Sequence, residues 1–153
     1  MIDPTITRDR RLLQESLTLV APVAGELIAA FHDRLFAAHP ELRAIFPTDL
    51  TLQGERLLSA AIALATHFDR PERLQPALAA MGRSHALLGV GLRHYAIVGA
   101  TLLDTLRDFA GPVWTPAYAE AWERAYAFAA GTMMAASACD TAEDSRNGAR
   151  QAA

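Results

Sequence analysis

Apolar positions recur at helical spacing along nearly the whole chain. Val23, Leu27, Phe31 and Leu35 fall every four residues and form one stripe. Leu12, Leu13, Ser16, Leu17 and Val20 share a face of an earlier helix, predicted from about Thr7 to Val20. No segment alternates apolar and polar residues as a half-buried strand does, and the helix formers alanine and leucine dominate. "HPELRAIFP" predicts a short helix that opens at Pro40 and is closed off by Pro47. The next helix, "TDLTLQGERLLSAAIALATHF", has Asp49 or Thr51 as its cap and breaks at Asp69-Arg70-Pro71. A segment with an internal Pro76, expected in two pieces, leads to His85 and stops at Gly89. A long helix then spans about Leu92 to Phe109 and ends at Gly111-Pro112. Thr115-Pro116 opens the last one, which runs to about Ala138. Residues 139–153 are small, polar and charged, and are expected to form a disordered tail.

Seven or so unequal helices with short connections and no fixed repeat predict an irregular all-α domain over residues 1–138, with helices crossing at steep angles. The length of 153 residues suits one domain, and a hydrophobic share of 52% supplies its core. A net charge of −3 leaves no basic footprint for nucleic acid. The single Cys139 excludes an internal disulfide framework and a cysteine zinc site. The N-terminus has no apolar signal core, and no apolar run is read that approaches the ~18 residues of a membrane span. A cytoplasmic protein with no membrane partner is expected.

The chain has no glycine-rich phosphate loop, no HExxH and no nucleophile elbow. Its five histidines remain. His39 and His67 sit at helix ends and read as surface residues. His94 lies in a turn between Arg93 and Tyr95. His32 falls at the edge of an apolar stripe, and His85 lies on an apolar helical face. By spacing alone, each is more often a packed histidine than a ligand. Neither has a second histidine at i+3 or i+4, so a zinc site built from protein groups alone is not supported. A lone imidazole suffices where a planar cofactor brings the other metal bonds, as haem does.

Four stretches appear in order: "FHDRLFAAHPELRAIF", "LQGERLLSAAIALATHF", "GRSHALLGVGLRHYAIVGATLLDTL" and "YAEAWERAYAFAAGTMMAA". Together they resemble the bacterial single-domain globins and the haem domain of flavohaemoglobins, over roughly residues 5 to 138. The resemblance implies a globin fold of about seven helices around haem b, with His85 as the iron ligand. It implies Phe46 stacked on the haem and Gln53 at the distal position, with Leu57 over the distal face and Arg56 reaching a propionate. Val90, Tyr95, Val98 and Leu102 would line the pocket. It also implies reversible binding of O2, NO and CO in a monomer or homodimer, and NO dioxygenase turnover through an external reductase.

Two departures qualify this. The distal tyrosine of such relatives aligns with His32, which can donate a hydrogen bond, take up a proton or bind iron itself. The glutamate expected late in the last helix is replaced by Met134-Ala135-Ala136-Ser137, so a backbone carbonyl or Ser84 is expected to orient His85. Two alternatives stay open: a six-coordinate redox or gas-sensing globin closed by His32, and a haem-free helical interaction module.

Overall fold

Asp3 opens the first helix, where its carboxylate accepts the Thr5 N–H at 2.8 Å and Pro4 needs no donor partner. The computed structural model describes residues 3–151, which form six α-helices and three short 3₁₀ turns, with no strand among them. The helices are α1 (Pro4–Val20), α2 (Ala24–Ala38), α3 (Leu50–His67), α4 (Pro71–Leu87), α5 (Leu92–Ala110) and α6 (Pro116–Gln151). The 3₁₀ turns are Ala21–Val23, Pro40–Ile45 and Gly111–Val113. All three have proline in the first turn, where its missing N–H costs least.

Three features differ from the sequence expectation. Pro76 does not split its segment, and α4 is continuous from Pro71 to Leu87. Pro76 lies in the second turn, so it forfeits only one backbone bond close to the helix start. The last helix does not end near Ala138 but continues through Gln151 as an exposed extension. No proline interrupts that stretch, and Asp140 pairs with Arg83 of α4 at 3.7 Å, which ties its first turn to the domain. The third concerns hydropathy. The run Pro4–Ala38 contains an 18-residue window of mean hydropathy 1.3, longer and more apolar than residue types suggested. In the fold, Leu12, Leu13, Leu27, Phe31 and Leu35 of this run are buried.

The core has two parts. The larger joins Leu13, Leu64, Leu78, Leu106 and Trp122 from five different helices. The smaller gathers Phe31, Leu35 and Leu42, with Phe36, Phe46, Leu57 and Val98 against them. Leu102 packs on both. Each large side chain buried in this way contributes about 1.5–3 kcal/mol. Two polar ties register α6 against α1. Trp122 Nε1 donates to Ser16 Oγ at 2.9 Å, and Arg124 grips buried Asp9 through two bonds of 2.6 and 2.8 Å.

Close backbone approach sets the remaining geometry. A Cβ on Gly82 would overlap the Met133 backbone, so α4 and α6 are in main-chain contact. A Cβ on Gly54 would come 2.8 Å from Ile28 Cγ2, so α3 lies directly on α2. Between α4 and α5 the chain turns through 117°. Gly89 makes that turn at φ +80°, a backbone region that side chains with a Cβ avoid.

Candidate functional site

The residues expected to form the site lie on α2, the loop after the Pro40–Ile45 turn, α3, the end of α4, and α5. His32 is buried to 4% exposure on α2. Three aromatic rings surround it. Phe31 lies at 5.2 Å, Phe36 at 5.9 Å and nearly parallel, and Phe46 at 5.8 Å and edge-on. Phe36 sits at i+4 from His32, so helical spacing could have flagged it. The Nε2 of His32 is buried without a hydrogen-bond partner. Burial lowers the pKa of His32 below the ordinary imidazole value; Asp33 opposes the shift and Arg43 adds to it. The ring is therefore neutral at pH 7.

Phe46 follows the 3₁₀ turn in extended conformation and meets Phe36 edge-on at 5.1 Å. Asp49, one of the two residues expected to cap α3, accepts the Thr51 N–H at 2.9 Å. Gln53, in the opening turns of α3, is partly buried. Its neighbour Gly54 would place a Cβ 3.9 Å from His32 Cε1, so the helix that carries Gln53 runs beside the His32 ring. Leu57 packs on the Phe31 cluster, whereas Arg56 is exposed.

His85 occupies the last turn of α4. Its carbonyl accepts the N–H groups of Leu88 and Val90 at 3.1 and 3.0 Å, which closes the helix at the Gly89 turn. Its ring stands perpendicular to that of Tyr95 at 6.0 Å. Burial alone lowers its pKa, so this imidazole too is neutral, with a free lone pair. Its Nδ1 is buried and has no partner. Neither substitute expected to orient it does so. Ser84 Oγ donates instead to the Ala80 carbonyl at 3.2 Å, and no backbone carbonyl reaches Nδ1. Helical side chains of serine satisfy their own previous turn readily, which removes Ser84 from reach. Asp140, the first acid after the Met134–Ser137 stretch, turns to Arg83.

Val90, Tyr95, Val98 and Leu102 are all partly or fully buried along α5 and the turn before it. Tyr95 is held by a residue that the sequence reading did not single out. Tyr126 of α6 donates its hydroxyl to the Tyr95 carbonyl at 2.6 Å, across 31 positions of chain. Gly99 opens the notch for the Tyr126 ring, which a Cβ there would overlap. Nothing in local spacing announces such a pair. His94 lies at the same corner as a cap, its Nδ1 accepting the Gly91 N–H at 3.0 Å. His39 approaches Glu41 at 3.5 Å.

Two neutral imidazoles thus each carry a buried ring nitrogen that nothing satisfies, within otherwise apolar surroundings. Burying a polar atom without a partner is unfavourable by about 1–3 kcal/mol. Among the described residues no group of three or more His, Cys, Asp or Glu is placed to hold a metal ion. The donor set therefore suits a metal that brings most of its ligands with it, and a planar tetrapyrrole does so. The fold is an all-α domain, and its two orphan imidazole nitrogens fit a haem.

Comparison with known proteins makes this specific. Residues 29–133 match the family described as Globin. A flavohemoprotein of Rhodopirellula baltica is 37% identical over 123 residues, covering 78% of this chain and 30% of the relative, so the chain spans under a third of that protein. A globin-like protein of Aquifex aeolicus is 31% identical, covering 81% of this chain and 88% of the relative. A solved structure, an engineered carbene transferase and candidate nitric oxide dioxygenase from Rhodothermus marinus, superposes with a TM-score of 0.80 at 29% identity. That superposition covers 95% of this chain and 99% of the other. The chain belongs to the globin family, and its relatives imply a haem-binding globin.

Proposed function

We propose that the protein binds haem b through His85 and takes up O2, NO and CO reversibly beside His32 and Gln53. The observation that carries this reading is the pair of neutral imidazoles, each with a buried ring nitrogen that nothing satisfies. Bound haem would supply an iron centre able to take a diatomic ligand and exchange electrons. Phe46 and Leu57 would wall it on the His32 side, and Val90, Tyr95, Val98 and Leu102 on the other. Arg56 is exposed and long enough to meet a propionate.

The work of the chain is to exclude water and to place donors. Phe31, Phe36 and Phe46 keep the His32 surroundings dry, which strengthens any hydrogen bond made there. His32 Nε2 and the Gln53 amide can each donate to a ligand that gathers negative charge, the logic of preorganised donors. Each such bond is worth roughly 1–3 kcal/mol, or about 5- to 150-fold in dissociation constant. Oxidation of NO balances as NO + O2 + e⁻ giving NO3⁻. The electron would come from a separate cytoplasmic reductase. The bare His85 Nδ1 makes this turnover slow, because no acceptor increases the basicity of the ring.

The test is haemin titration of the purified chain and of His85→Ala. The native chain gives a stoichiometric Soret band and a CO difference spectrum, and His85→Ala loses both. Unchanged uptake by His85→Ala defeats the proposal. A second reading, favoured by the unpartnered Nε2 of His32, has that nitrogen close the sixth iron position. Sharp low-spin bands in the reduced, ligand-free protein would select it.

A further inference from the structure

We propose that Arg43 is a positioning residue for the ligand pocket, holding in one conformation the loop that carries Phe46 and, through it, the ring of His32. For its effect on a ligand this rests on the haem reading; for its geometry it does not.

The guanidinium of Arg43 gathers three consecutive carbonyls. Its Nη1 donates to Phe46 O at 3.3 Å and to Pro47 O at 3.0 Å, and its Nη2 donates to Thr48 O at 3.1 Å. The segment Phe46–Asp49 belongs to neither the 3₁₀ turn nor α3, and Pro47 has no N–H to offer. Of its backbone donors, Phe46 N–H alone bonds back to the turn, to Arg43 O at 3.3 Å. One side chain therefore supplies the donors that a helix or sheet would otherwise give these carbonyls.

The same guanidinium lies over the face of Phe36, 5.4 Å from the ring centre. Phe36 stands edge-on to Phe46 at 5.1 Å and parallel to His32 at 5.9 Å. Arg43 thus touches two of the three aromatic residues around His32, Phe46 through its backbone and Phe36 through its ring. A planar fork is required for this. A lysine offers one point charge and cannot serve three carbonyls and a ring face together. All the hydrogen bonds and ring contacts of Arg43 lie in this corner, away from the larger core. Its removal should loosen the pocket wall without unfolding the domain.

The experiment compares the native full chain with Arg43→Ala and Arg43→Lys. Haem-loaded proteins are read by the infrared C–O stretch of their CO complexes, and haem-free proteins by amide hydrogen exchange. The native protein is expected to show one narrow C–O band. Arg43→Ala should show a broadened or split band and about 10-fold faster CO dissociation, with a near-native global unfolding midpoint. Exchange at the Phe46 amide, which bonds back to the turn, should rise by about 10-fold, while amides of α1 and α6 stay unchanged. Arg43→Lys should restore neither the single band nor full loop protection. A native C–O band and native loop exchange in Arg43→Ala overturn the proposal, as does full recovery of both by Arg43→Lys. If the native chain takes up no haem, the haem reading fails, and loop exchange in the haem-free variants still decides the role of Arg43.

Discussion

His32 is buried and His85 partly so, both are neutral, and their surroundings differ in kind. His32 is held by three rings, a closely crossing helix and a loop clamped by Arg43. His85 meets one ring edge-on, and its Nδ1 has no acceptor. Rigidity on the His85 side comes from the backbone. Gly82 sits on Met133, Tyr126 grips Tyr95, and the Gly89 turn ends the helix. One side is thus specified by side chains around a ring, the other by main-chain contacts beneath it. Under the proposed haem reading, the His32 side would tune a ligand, while the His85 side would set how firmly the imidazole is placed, with little electronic help.

The largest effect expected from breaking this contrast is on the His85 side. Gly82→Ala forces a methyl into the Met133 backbone, which no rotamer change can relieve, and should cost about 3 kcal/mol. Urea unfolding would show it, and a loss under 1 kcal/mol would mean that α4 and α6 part easily. Next comes the ligand. His32→Leu preserves bulk but removes the donor, and O2 dissociation should speed up by roughly 5- to 150-fold by stopped flow. An unchanged rate would assign the stabilisation to Gln53 alone.

Acid should act on both sides at once. Burial lowers the pKa of His32 and of His85. Below about pH 6.5 the unfolded chain takes up protons at these positions while the folded chain resists. This contribution therefore lowers the stability of the haem-free protein as pH falls through that value, and levels off below the folded-state pKa values. Chemical unfolding at pH 7.5 and 5.5 checks it, and His32→Leu should flatten the slope. For the same reason, O2 release should depend on pH mainly on the acid side of the ordinary imidazole range. A rate that stays flat from pH 8 to 5 excludes His32 as the sensing group. The smallest change is a gain. Ser137 lies one turn beyond Met133, which packs on Gly82 of α4, in the stretch that lacks the expected glutamate, so Ser137→Glu is expected to offer His85 Nδ1 an acceptor. It should raise the iron–histidine stretching frequency in resonance Raman while altering stability by less than about 1 kcal/mol.

Much of the fold was readable from residue spacing. The Leu27, Phe31 and Leu35 stripe, the Asp49 cap, the Gly89 turn and the Thr115-Pro116 start all occur where their chemistry places them. These are local decisions, made within a few residues by backbone sterics and helix periodicity. The split expected at Pro76 and the end expected near Ala138 fail for the complementary reason: whether a helix persists depends on how little is lost and on what it packs against.

The candidate site divides the same way. The histidines were visible in the chain, and the candidate wall residues came from the resemblance; the structure leaves Val90, Tyr95, Val98 and Leu102 partly or fully buried. The failure of Ser84 to orient His85, the grip of Tyr126 on Tyr95 and the clamp of Arg43 on its loop could not be read from the chain. Residue order alone determined the helices, the apolar faces and which imidazoles were available. Tertiary structure decided which of their nitrogens would go unsatisfied, because that depends on donors and acceptors brought together across tens of residues by the crossing of helices.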